Sequence, residues 1–193
     1  KETVTATVVR RLDLVRMRKV QAKSHLVFAP MPTGTPTLQC AMDVIAQLKA
    51  APDGSPRVLL LSDWSARVVN ACQADLKAIS AYYLILVAAL KVLDGPLMDS
   101  TQVLYQSEAI LADPSNYWIS VINVGRHFSL QTVMGDAMKD SDCVGLVIAR
   151  LMQVADVAGV APASIGFGTD NDDDSIMPKL IAEFVSEKLT DVV

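Results

Sequence analysis

Val58-Leu59-Leu60-Leu61-Ser62-Asp63-Trp64 is the stretch on which the fold turns. Four consecutive apolar residues show no alternation between a wet and a dry side. The strand they form is therefore expected to be buried on both faces, as in a parallel sheet covered by helices. The pattern repeats on either side. Upstream, Pro52, Asp53-Gly54 and Pro56 make a turn, and Leu38–Ala50 carries Ala41, Ile45 and Leu48 on one helical stripe. Before that helix, the proline-rich loop Pro30–Pro36 ends a short apolar strand, His25–Ala29. Downstream, a long helix is expected from about Ala74 to Leu93. Asp94-Gly95-Pro96 stops it, because glycine accepts the left-handed conformation and proline cannot continue the ladder. Val103–Tyr105 reads as a third strand. Asp113 then caps a helix that takes Pro114 in its first turn and runs to about Arg126. Beyond this point strand signals fade, and Leu130–Met138, Val144–Val157 and Met177–Leu189 all read as helices. Strands alternating with helices imply an α/β fold with a helix-rich C-terminal part. Ligands in such folds bind beyond the carboxyl ends of the strands, here Ala29–Gln39 and Ser62-Asp63-Trp64.

Composition narrows the function classes. The chain has 193 residues, 51% of them hydrophobic and only 20% charged, which fits either doubly covered elements or a broad apolar surface that a partner hides. The longest apolar stretch, Ala81–Leu90 between Lys77 and Lys91, falls short of the roughly 20 residues that span hydrocarbon, so it reads as a core helix. Cys40, Cys72 and Cys143 have no metal-ligand spacing, which suits reduced thiols in the cytoplasm. There is no secretion signal, glycosylation sequon or prenylation motif. The chain starts at Lys1 rather than methionine, and a fragment or processed product is expected.

A net charge of −4 argues against the chain as a whole being a nucleic-acid binder. Its cations are clustered, however. Arg10, Arg11, Arg16, Arg18, Lys19 and Lys23 crowd a segment over 1–24 in which Val8, Leu12, Val15 and Val20 recur at near-helical spacing. That basic amphipathic helix is either solvated surface or a phosphate contact with strong salt dependence.

Few residues advertise chemistry. On the helix 142–159, Gln153 and Asp156 share a face with Ala149 among apolar neighbours. An amide and a carboxylate there need polar partners, which a ligand, water or a neighbouring helix could supply. The loop Pro30–Pro36 makes a poor phosphate cradle, because three prolines remove three amide donors. His25 and His127 lie near no nucleophile in sequence, and no metal constellation is present.

Several segments, in order, resemble the tyrosyl-tRNA synthetases of the eukaryotic and archaeal type. Leu60-Leu61-Ser62-Asp63-Trp64-Ser65-Ala66, with Asn70, looks like that family's strand followed by A-D-W-F-A and an asparagine. Asp75-Leu76-Lys77-Ala78-Ile79 leads into the long helix as in the family. Ser107-Glu108-Ala109-Ile110 and Asp113 through Tyr117-Trp118 are similar to its S-E-E-I-N and E-Y-W segment. Met152-Gln153-Val154-Ala155-Asp156-Val157 looks like its M-Q-x-A-D-I helix. The match runs from about Phe28 to Asn171. It implies a Rossmann-type, class I synthetase (HUP-like) parallel sheet over 25–193, ATP and tyrosine as the family's substrates, and translation in the cytoplasm. No membrane association is implied.

The departures bear on activity. The resemblance places the family's H-I-G-H-like motif at Pro36, Thr37, Leu38 and Gln39, where no histidine stands. The family's F-E-P-S-G becomes Phe28-Ala29-Pro30, the pocket tyrosine becomes Ala149, and a pocket glutamine becomes Gly166. Asp63, Gln153, Asp156 and Asp170 would line the remnant substrate pocket. The K-M-S-K-S loop and the anticodon-binding region are absent from these residues. This pattern resembles the C-terminal half of double-length synthetases of some unicellular parasites, in which a degenerate half supports a catalytic one. By that resemblance the half binds no cofactor itself. It meets a catalytic half, or a homodimer mate, through Tyr117, Trp118, Ile122, Phe128 and Leu130, and helps dock tRNA through Arg10, Arg11, Arg16 and Arg18. A competent synthetase core with an atypical motif and a small-ligand domain using Asp63, Gln153 and Asp156 are the alternatives.

Overall fold

The computed structural model describes residues 23–69, 75–135, 144–160, 162–167 and 176–186. The elements are β1 (His25–Phe28), α1 (Leu38–Lys49), β2 (Arg57–Leu61), α2 (Asp63–Val68), α3 (Leu76–Leu93), α4 (Gly95–Asp99) and β3 (Thr101–Tyr105). They continue with α5 (Gln106–Ala112), α6 (Pro114–His127), α7 (Leu130–Met134), α8 (Val144–Val160), β4 (Ser164–Phe167) and α9 (Ile176–Ser186). The strands form one sheet in the order β3-β2-β1-β4, and every pairing is parallel.

The continuous apolar runs serve two cores. Leu26, Phe28, Val58, Leu60 and Leu104 face one side, packed with residues of α6, α8 and α9 such as Val121, Met152 and Leu180. Val27, Ala29, Leu59 and Leu61 face the other, against Val44 and Leu48 of α1 and Tyr83 and Leu86 of α3. A central strand with both faces covered has no polar side to present, which is why period two is missing from its sequence.

Polar residues at strand starts tie the layers together. His25 and Arg57 are register partners at the first rung of β1 and β2. His25 Nε2 lies 2.8 Å from the Gln47 carbonyl, and Arg57 Nε donates to the Leu48 carbonyl at 3.0 Å. Both add a second donor to carbonyls in the last turn of α1, which otherwise accept only the tight bonds from the Ala50 and Ala51 amides. A carbonyl only accepts, so His25 Nε2 carries the proton. In the neutral ring Nδ1 then accepts from Ser164 Oγ at 2.7 Å, which joins β4 to the same post.

Helix starts follow their caps. Thr37 Oγ1 accepts from the Cys40 amide at 3.1 Å, Asp75 from the Lys77 amide at 2.9 Å, and Asp113 caps α6 with Pro114 at its first position. Three expectations change. A strand, β4, stands in the C-terminal part that reads as all helix, and it pairs with β1 along its whole length. Of the helix expected over Leu130–Met138, α7 ends at Met134, where Gly135 turns to φ 53° and ψ −137°, and residues 136–138 lie outside the described residues. Arg150, 4% exposed, donates Nη1 to the Val133 and Met134 carbonyls at 2.8 Å each and so caps that end. Helix α8 runs on to Val160 rather than Val157. Among the described residues α3 alone is long and apolar enough to cross a membrane, with a mean hydropathy of 1.8, yet its Ile79, Tyr82, Tyr83, Leu86 and Leu90 are buried in the domain.

Candidate functional site

The carboxyl ends of β2 and β3 bring α2, α5, α6 and α8 to one spot. Gln106, the first residue of α5, is fully buried there. Its Oε1 accepts from the Ser65 amide at 2.8 Å, while its Nε2 donates to Ser65 Oγ at 2.9 Å and to Asp156 Oδ2 at 2.6 Å. Tyr117 Oη donates to the other carboxylate oxygen, Oδ1, at 3.0 Å and lies 3.4 Å from the Met152 carbonyl. Asp156, 6% exposed, thus has each oxygen engaged by the chain itself. That is how a buried carboxylate avoids the cost of lost hydration. Gln153, one helical turn earlier, is half-buried, and Ala149 is buried.

Asp63 opens α2 a few residues away, and its Oδ1 accepts from the Ser107 amide at 2.9 Å. Burial raises its pKa, and hydrogen bonds from Ser107 offset only part of that. Behind it, burial pushes the Tyr83 hydroxyl well above the ordinary phenol value, and the nearby Asp63 charge adds to the effect.

The junction from β1 to α1 is built differently. Phe28, Ala29 and Pro30 are buried, and the Ala29 amide donates to the Leu60 carbonyl at 2.9 Å, which extends the β1–β2 ladder. The Phe28 ring stacks on Phe167 of β4, with centroids 5.5 Å apart and planes 5° from parallel. Thr37 Oγ1 accepts the helix-cap bond from the Cys40 amide, so its oxygen is held at the start of α1. Leu38 is 64% exposed, and Gln39 Nε2 donates to Asp43 Oδ1 at 2.8 Å on the surface. Pro36 offers no donor at all. Gly166, in mid-strand on β4, has its space taken: a Cβ there would lie 2.8 Å from Gln47 Oε1.

The residues expected to touch a partner separate into two sets. Trp118 and Ile122, with Ile119, are exposed on the outer face of α6 (38%, 61% and 50%), and Leu130 is 53% exposed at the start of α7. Tyr117 and Phe128 are corrections to the expectation, because both point inward. Tyr117 reaches Asp156, and Phe128 packs against the rings of His127 and Phe184. Asp170 and the arginines Arg10, Arg11, Arg16 and Arg18 lie outside the described residues. Gln106 and Ser65 escaped the sequence reading. A glutamine directly after a short strand carries no mark of burial, which comes from the approach of Ser65 on α2 and Asp156 on α8. Among the described residues, no three His, Cys, Asp or Glu side chains converge to hold a metal. A cleft of about 460 Å³ lies apart from this site, between α8, β4 and α9, and is lined by apolar side chains such as Val157, Ile165 and Ile181.

A parallel sheet in this order, covered on both faces and with polar groups gathered beyond its carboxyl edge, defines a Rossmann-type domain, and its likeness to solved structures is to class I synthetases. Within that class the chain is related to the tyrosyl-tRNA synthetases, the tyrosine–tRNA ligases of protein biosynthesis. It is similar to Leishmania major tyrosyl-tRNA synthetase in complex with tyrosinol, at 27% identity and a TM-score of 0.73 over 86% of this chain and 25% of that one. The Leishmania major enzyme in complex with fisetin gives 27% identity and a TM-score of 0.73, over 86% of this chain and 27% of that one. The Aeropyrum pernix tyrosyl-tRNA synthetase shares the fold at 20% identity and a TM-score of 0.69, over 88% of this chain and 50% of that one. The chain therefore spans about a quarter of the Leishmania chains and half of the archaeal one. No protein-family model and no curated protein matches the sequence.

Proposed function

We propose that this chain is a catalytically inactive synthetase half that braces a catalytic half and helps seat tRNA in the cytoplasm. The observation that carries the reading is the chemistry of Pro36, Thr37, Leu38 and Gln39. None of the four is a histidine: one has no donor, one is a neutral hydroxyl whose oxygen accepts the helix-cap bond, one is an exposed alkyl group, and one is a carboxamide bonded to Asp43. A developing charge on phosphate needs donors aimed at it, and each such group is worth roughly 10²–10³ in rate. The internal partners of Asp156 support the same reading, since a carboxylate already held by Gln106 and Tyr117 has less to offer a ligand. In this proposal the half binds neither ATP nor tyrosine, the outer face of α6 meets the catalytic half, and Arg10, Arg11, Arg16 and Arg18 meet tRNA phosphates.

The test is tyrosine-dependent ATP–pyrophosphate exchange by the purified 193-residue chain. No exchange is expected. Turnover at a rate typical of synthetases would overturn the proposal and leave a competent core with an atypical motif.

A further inference from the structure

Helix α3 carries two opposite seams. Ile79, Tyr83, Leu86 and Leu90 follow one another at intervals of 4, 3 and 4 and are all buried in the domain. Lys77, Ala81, Leu84, Ala88 and Lys91 run at intervals of 4, 3, 4 and 3 on the other side, and all are exposed. Ile85 and Val92 flank this outer line, and the exposures of Leu84, Ile85 and Val92 are 63%, 51% and 86%. A solvated helix face is ordinarily polar, and alternating steps of three and four are the spacing by which one helix packs along another. Ala81 and Ala88 leave hollows on either side of the Leu84 knob.

The ends of the seam specify the occupant. Lys77 and Lys91 stand one heptad before and after Leu84, so the line is apolar at its centre and cationic at both ends. A second copy lying antiparallel would set Lys77 against Lys91, and one lying parallel would set each lysine against itself. Both arrangements repel. The basic run Arg10, Arg11, Arg16 and Arg18 is mismatched for the same reason. We infer that the outer face of α3 docks an amphipathic helix of a partner protein, one whose apolar centre is flanked by carboxylates a heptad to either side. This face lies across the sheet from α6, and the inference does not depend on whether the chain is catalytic.

The probes are two synthetic helical peptides of about 20 residues with the same leucine–alanine stripe, long enough to hold a helix. One carries glutamate and the other lysine at the flanking seam positions. Their binding to the whole chain is read by fluorescence anisotropy. The glutamate peptide should bind about tenfold more tightly than the lysine peptide, the sum of two exposed pairs turned from repulsion to attraction. In the Lys77→Glu/Lys91→Glu variant that preference should reverse. Leu84→Asp should abolish binding of both peptides while the circular dichroism spectrum stays unchanged. Equal binding of the two peptides, or none, would overturn the inference. So would self-association lost in Leu84→Asp, or sedimentation with phosphatidylserine vesicles in place of peptide binding.

Discussion

Asp63 holds a carboxylate where the surroundings favour the acid. Burial is the larger effect on its pKa, and the bonds from Ser107 recover part of the cost. The folded state therefore keeps its proton to higher pH than the unfolded chain does. Across the window between those two values the folded state binds more protons, so stability falls as pH rises, and the penalty persists at neutral pH. Asp63→Asn keeps an oxygen for the Ser107 amide and removes the charge. The variant should unfold at higher urea than the parent at neutral pH. That advantage should shrink as pH is lowered through the range just above ordinary aspartate values. Equal midpoints at neutral pH, with parallel pH dependence, would refute this account. Legibility at this scale was uneven. Asp156 stood out because a carboxylate among apolar residues demands partners, and Asp63 because it stands at the carboxyl end of an apolar strand. Gln106 did not, because nothing in Tyr105-Gln106-Ser107 distinguishes a glutamine at the surface from one sealed inside.

Single elements depend on a few backbone positions. Gly135 ends α7 at φ 53° and ψ −137°, a region open to glycine and strained for any L side chain. A Cβ there would also lie 2.5 Å from Ile176 Cδ1 at the start of α9. Gly135→Ala should cost about 1–3 kcal/mol, measured as a lower urea midpoint. Ile176→Ala in the same chain should not restore that loss in full, because it relieves the contact and leaves the backbone strain. Complete restoration would show that the clash alone mattered. The longer helices were plain in the sequence, since α1 carries an apolar stripe, α3 a stop at Asp94-Gly95-Pro96, and α6 a cap at Asp113 followed by Pro114. Strand β4 was not, because Ser164-Ile165-Gly166-Phe167 is short, interrupted by glycine and flanked by helical patterns. Its identity as a strand comes from the pairing with β1, a long-range interaction that local propensity does not encode.

At the scale of the whole molecule, the fold class was readable because apolar strands without alternation admit few architectures. The surfaces were harder. Apolar content announced that some of it must remain outside, but not which residues, and Tyr117 and Phe128 proved to be core while Trp118, Ile119 and Ile122 stayed out. If α6 meets a catalytic half, Ile122→Glu should break the complex on size-exclusion chromatography of the two co-expressed halves. The urea midpoint of this chain alone should move by no more than about 0.5 kcal/mol, as for an exposed site. A complex that survives the substitution would remove α6 from the interface.

The post made by His25 and Arg57 has a consequence for how the domain comes apart. The residues that begin two strands also hold the tail of α1, and through Ser164 the edge strand as well. Fraying of β1 at that end of the sheet cannot proceed alone. It must release a helix terminus and an outer strand in the same event, so three pieces distant in sequence behave as one unit of local unfolding.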